Sequence, residues 1–174
     1  FMLAKKEGKG PRRSVLIMPV SGEEKGLLGS KYYTDNPIYP LEKTVANLNI
    51  DMIGRLDDWH TSPDYVYLIG SDRLSQDLHD ISEQVNNMYV GIDLDYRFNE
   101  KDDPNRYYYR SDHYNFAKNN IPVIFYFNGV HEDYHKITDT IEKINFKKIE
   151  KITKLIFLTA WEIANREERP RLNN

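Results

Sequence analysis

Apolar positions along the chain fall into two rhythms, continuous or alternating runs of a strand and the three-to-four spacing of a helix. Val15-Leu16-Ile17-Met18-Pro19-Val20 is apolar without alternation, which predicts a strand covered on both faces that stops at Ser21-Gly22. Leu27-Leu28 and Tyr32-Tyr33 recur at helical spacing, and Asp35-Asn36-Pro37 ends that helix. A second strand is expected over Val45 to Met52, with Asn47, Asn49 and Asp51 on one alternating face. Tyr65 to Gly70 predicts a third strand, and Leu74, Leu78, Ile81 and Val85 form the stripe of a helix from Leu74 to Met88. Asp93 to Phe98 reads as a short strand, followed by a polar, tyrosine-rich loop from Asn99 to Arg110. Ser111 caps a short helix through Lys118, and Ile121 to Phe127 is the most apolar strand. A final helix starts at Ile141 or Phe146 and runs to Asn165, turning Ile149, Ile152, Leu155, Ile156, Thr159 and Ile163 inward. Strands alternating with helices predict an α/β fold with a largely parallel sheet and helices on both faces.

Composition narrows the class without naming a function. The 174 residues carry 24 Lys+Arg against 27 Asp+Glu, a net charge of −3, which points away from a nucleic-acid partner. No apolar run approaches the ~20 residues of a spanning helix, so no transmembrane segment is expected. Hydrophobic residues make up 40% of the chain, enough for one core, and no repeat or flexible linker divides it, so a single unit is expected. Cysteine is absent, leaving carboxylates and imidazoles as the only strong metal ligands. Phe1 to Lys6 reads as the tail of a helix, and the chain as a piece of a longer domain.

Three polar clusters follow predicted strands, where loops of an open parallel sheet converge. Glu23-Glu24 follows the first, Asp51 closes the second and Asn128 to His135 follows the last. Adjacent carboxylates repel unless a cation or proton intervenes, so Glu23-Glu24 reads either as a metal-binding pair or as an acidic pair at a helix N-terminus. Asp51, in an apolar strand, calls for a cation nearby, or else is a turn residue just beyond the strand end. His131-Glu132-Asp133-Tyr134-His135 matches the H-E-x-x-H pattern, but Asn128-Gly129 before it and Thr138-Asp139-Thr140 after it break any helix there. The match is therefore read as accidental, with at most one of the two histidines a ligand.

Taken in order, these motifs resemble the M28 family of zinc peptidases, which includes leucyl aminopeptidases with a two-zinc site. The resemblance is carried by Ser14 to Ile17 leading into Ser21-Gly22-Glu23-Glu24-Lys25-Gly26, by Val45 to Gly54 around Asp51, and by Ser111-Asp112-His113 with Phe116 and Ile121-Pro122. His131 to His135 and Thr138-Asp139-Thr140 complete it. It implies a three-layer sandwich around a mixed, mostly parallel sheet. It implies zinc as cofactor, a peptide substrate, Glu23 as general base, Glu24 and His135 as ligands of one zinc and Asp51 as ligand of the other. His131 becomes a neighbour in the loop. Asp112 and His113 fall where the family lines or supports the site, and Tyr107, Tyr108 and Tyr109 where a cleft wall is expected.

The family pattern also needs an upstream histidine and a bridging aspartate, and strands to carry them, that precede the part seen here. The resemblance therefore implies a parent aminopeptidase, a piece that alone turns over nothing, a sheet edge open to self-association, and a secreted or periplasmic setting. Two other readings stand beside it: a glutaminyl-cyclase-like zinc aminoacyltransferase, and a non-catalytic binding module of peptidase ancestry.

Overall fold

A computed structural model describes residues 1–174. Its centre is a four-stranded sheet made of β1 (Asn47–Ile50), β2 (Tyr65–Ile69), β3 (Asp93–Asp95) and β4 (Val123–Phe127), in the order β1-β4-β2-β3. β1 runs parallel to β4, and β2 parallel to β3, while β2 and β4 are antiparallel with Leu68 opposite Tyr126. The helices are α1 (Met2–Lys6), α2 (Leu28–Asp35), α3 (Gln76–Tyr89), α4 (His113–Ala117) and α5 (Phe146–Asn165). No helix is long and apolar enough to cross a membrane.

The two central strands are buried on both faces, as their unbroken apolar sequences require. Val66 and Leu68 of β2 with Ile124 and Tyr126 of β4 meet Leu78, Ile81 and Val85 of α3 and Ile152, Leu155 and Ile156 of α5. The opposite face, Tyr65, Tyr67, Ile69, Val123, Phe125 and Phe127, packs against Phe116 and Ala117 of α4, with Tyr33 of α2 at its margin. Helices cover both faces, giving the expected three-layer α/β sandwich. Helix α3 begins where the hydroxyl of Ser75 accepts from the Leu78 amide (3.2 Å), and α5 where the Asn145 side chain accepts from the Lys148 amide (3.0 Å).

The first predicted strand is corrected. Val15 to Val20 forms no strand, and Leu16 and Ile17 are 50% and 75% exposed. Apolar sequence supplies the faces of a strand, but a ladder also needs a neighbouring backbone, and β1, the edge on that side, pairs only with β4. The second and fourth predicted strands shrink to Asn47–Ile50 and Asp93–Asp95 for the same reason, since pairing ends where the partner strand turns away.

Strand directions place the site. The carboxyl ends of β1 and β4 and the amino ends of β2 and β3 share one edge of the sheet, because β4 runs with β1 and against β2. The segments after Ile50, after Phe127 and before Tyr65 all emerge there.

Candidate active site

Glu23 and Glu24 lie in a single helical turn, Glu23–Lys25, bracketed by Gly22 and Gly26, and α2 starts only at Leu28. The acidic pair is thus separated from the N-terminus of α2. Gly29 lets α2 settle onto this segment: a Cβ there would lie 2.6 Å from the Ser21 carbonyl oxygen.

Asp51 directly follows β1, and its amide still bonds the Tyr126 carbonyl (3.3 Å). The Asn49 side chain donates to the Ser111 hydroxyl (2.9 Å), which donates to Asp51 Oδ2 (2.8 Å). The alternating polar face of β1 is therefore a short hydrogen-bond chain from strand to site. The Ser111 hydroxyl occupies Oδ2 of Asp51. Burial raises the Asp51 carboxyl above the usual carboxylate range, and nearby Asp112 and Glu24 add to the rise, while the Ser111 hydrogen bond opposes it.

His135 lies on the turn-rich loop after β4, in the left-handed region at φ 56°, and its Nε2 is 2.8 Å from Glu24 Oε1. The Tyr134 ring stacks on the imidazole at 3.8 Å. The loop is anchored from below. Asp133 receives Arg55 Nη2 on Oδ2 (2.6 Å) and Lys143 Nζ on Oδ1 (2.7 Å), and Arg55 also pairs with Asp139. These donors hold the Asp133 carboxyl far below its ordinary range. His131 faces Asp139 at 3.8 Å. The H-E-x-x-H segment is thus no helix, and its two imidazoles point to different partners.

Glu23, Glu24, Asp51 and His135 line one open cleft of about 1040 Å³, with Tyr107, Tyr109 and Tyr134 among its walls. Three cleft residues, Leu27, Met52 and His135, have positive φ without being glycine. Such backbone costs on the order of 1 kcal/mol each and is held in place by surrounding packing. Partial burial and the carboxylates of Asp51, Glu24 and Asp112 push the Glu23 carboxyl up to about 7, with His135 pulling the other way. Asp112 is buried behind the cleft, and one of its carboxylate oxygens has no partner. His113 is fully buried against Phe125 (4.7 Å) and Tyr108, and burial pushes its imidazole down to about 3. Neither Asp112 nor His113 lines the cleft, so they support its floor; Tyr108 is likewise buried beneath it.

Sequence reading missed the anchors. Arg55 follows an apolar strand by chain order but acts across the fold, and Asp133 was seen only as the middle of a motif. A second network went unseen: Asp57 accepts from the Tyr67 hydroxyl, from His60 Nδ1 (2.9 Å) and from the amides of Trp59 and His60 (3.2 Å each). The aspartate two and three residues before those amides was the available signal, an Asx-type turn.

The model of Peptidase family M28 matches residues 2–160. The chain belongs to peptidase family M28. Leupeptin-inactivating enzyme 1 of Streptomyces exfoliatus is 34% identical over 122 residues, which are 70% of this chain and 24% of that protein. Among solved structures, LapB of Legionella pneumophila superposes with a TM-score of 0.73 at 18% identity, over 94% of this chain and 43% of its own. BSAP, a zinc aminopeptidase from Bacillus subtilis, gives 0.65 at 21% identity, over 88% and 37%. At these identities the two structures establish the shared fold. The chain spans about a quarter of the curated relative, and less than half of either structure.

The donors fit zinc in kind and fall short in number. Glu24 and His135 are adjacent oxygen and nitrogen donors and Asp51 is a third, separate one, yet no three Asp, Glu or His side chains gather closely enough to hold an ion. A catalytic zinc needs three protein ligands and an open position.

Proposed function

We propose that this chain carries the general base and part of the metal cage of a zinc-dependent aminopeptidase, which cleaves the N-terminal peptide bond of a peptide. The observation that supports this most is the meeting of Glu23, Glu24, Asp51 and His135 in one cleft. Glu24 and His135 would hold one zinc and Asp51 the other. Zinc, when bound, lowers the pKa of water and polarises the scissile carbonyl. Glu23 takes the proton of the attacking water and returns it to the leaving amine, the work of a carboxylate general base. Ser111 fixes the Asp51 carboxylate, and the Arg55–Asp133 pair fixes the loop of His135. Family membership and the zinc aminopeptidase named among the structural neighbours support the reading.

Because this chain supplies two donors to one ion and one to the other, the isolated 174-residue chain should bind zinc weakly and hydrolyse nothing. Calorimetric zinc titration, alongside an assay on leucine p-nitroanilide, tests both halves. Weak binding that is lost in Glu24→Ala and in His135→Ala, without turnover, is the expected result. Zinc binding indifferent to both substitutions would overturn the ligand assignment, and tight stoichiometric binding with turnover would overturn the incompleteness.

A further inference from the structure

The charged groups of the cleft are unevenly matched. Among its cations, Arg55 is held by Asp133 and Asp139, and Lys136 donates to the Glu132 carbonyl (2.5 Å). Arg110 differs. It is exposed on the cleft wall, lies over the Tyr107 ring at 5.0 Å, and has one long hydrogen bond, to the Asn105 carbonyl at 3.4 Å. Like Lys136 it takes part in no ion pair, but its guanidinium presents five donors in a fork suited to a carboxylate.

Its place in the chain puts it beside the site. Arg110 precedes Ser111, whose hydroxyl touches Asp51 at 2.8 Å. Consecutive Cα atoms are about 3.8 Å apart, so Arg110 sits next to the residue that touches Asp51, and both line the same cleft. The cleft therefore presents, beside the carboxylates assigned to zinc and to proton transfer, a guanidinium open to a carboxylate of the substrate. An internal segment of a long polypeptide would bring only a neutral carbonyl to that position, leaving the guanidinium unneutralised.

We propose that Arg110 binds the free C-terminal carboxylate of the substrate, and that this site accordingly favours dipeptides and tripeptides over long chains. The inference rests on the peptidase reading for the reaction but not on the metal, and its test is run on the metal-free chain.

The probes are leucyl-glycine and leucyl-glycine amide, which differ only in the terminal charge, followed by NMR of arginine Nε–Hε signals, with Arg110→Gln identifying the Arg110 peak. The exposed side chain makes that variant safe for folding. The dipeptide should displace the Arg110 peak and bind about three- to tenfold more tightly than the amide, the range of a forked but solvated ion pair. Arg110→Gln should abolish that preference, and Arg110→Lys restore part of it. Equal binding of acid and amide, absence of any dipeptide binding, or binding that leaves the Arg110 signal unmoved would each overturn the proposal. None of these outcomes touches the zinc titration, which tests the peptidase reading separately.

Discussion

Replacing Gly129 by alanine tests how the loop of His135 is held. Gly129 has φ +87°, and a Cβ built on it would lie 2.6 Å from Asp57 Oδ2 and 2.8 Å from Asp57 Cβ. Two costs arise. Alanine in the left-handed region costs about 1 kcal/mol. The clash is with a buried carboxylate that cannot swing away without leaving Tyr67, His60 and two backbone amides unpaired, and losing one or two such bonds costs about 1–3 kcal/mol. Gly91 provides the control, since it also has positive φ (+66°) but nothing within 4 Å of its Cβ. Gly91→Ala should therefore cost about 1 kcal/mol and Gly129→Ala about 2–4 kcal/mol. With a urea slope of about 2–3 kcal/mol/M, the unfolding midpoint should fall by roughly 1–2 M for Gly129→Ala and by less than half that for Gly91→Ala. Far-ultraviolet circular dichroism across a urea series reads both. Equal midpoints for the two variants would refute the claim that Asp57 is pinned beneath the loop.

Leu155→Ala should destabilise by about 2–5 kcal/mol in the same assay, because the side chain is fully buried between α5 and the sheet. Ser75→Ala removes the cap of α3 and should cost about 1 kcal/mol, with Ser75→Asp largely retaining it. Lys148 gives a pH signature. Burial pushes its ammonium down to about 7 in the folded chain, against an ordinary value of 10.5, so between those values the unfolded state holds more protons and stability rises with pH. Thermal melts from pH 7 to 10 should show that rise, reduced in Lys148→Met; an unchanged slope in the variant would assign the pH dependence elsewhere.

The legibility of the site differed from residue to residue. Glu23, Glu24 and Asp51 stood out by residue type at predicted strand ends and His135 by resemblance to the family, and the fold brings all four to one cleft. Their surroundings did not stand out. Arg55 and Asp133 are 78 positions apart and meet only through the sheet, while Ser111 and Asp51 are 60 apart. Asp112 and His113 stood beside the site in sequence, yet both are buried and neither lines the cleft.

Sequence alone determined the elements whose causes are local: the apolar stripes of α3 and α5, and the two strands whose unbroken apolar runs demand cover on both faces. Tertiary structure decided what depends on a distant partner. Val15 to Val20 has the composition of a strand and lacks a ladder, because backbone pairing belongs to two segments and a sequence pattern describes one. The antiparallel meeting of β2 with β4 likewise lies outside any local pattern; the parallel pairing of β1 with β4 brings their ends to one edge, and the antiparallel one brings the start of β2 there as well.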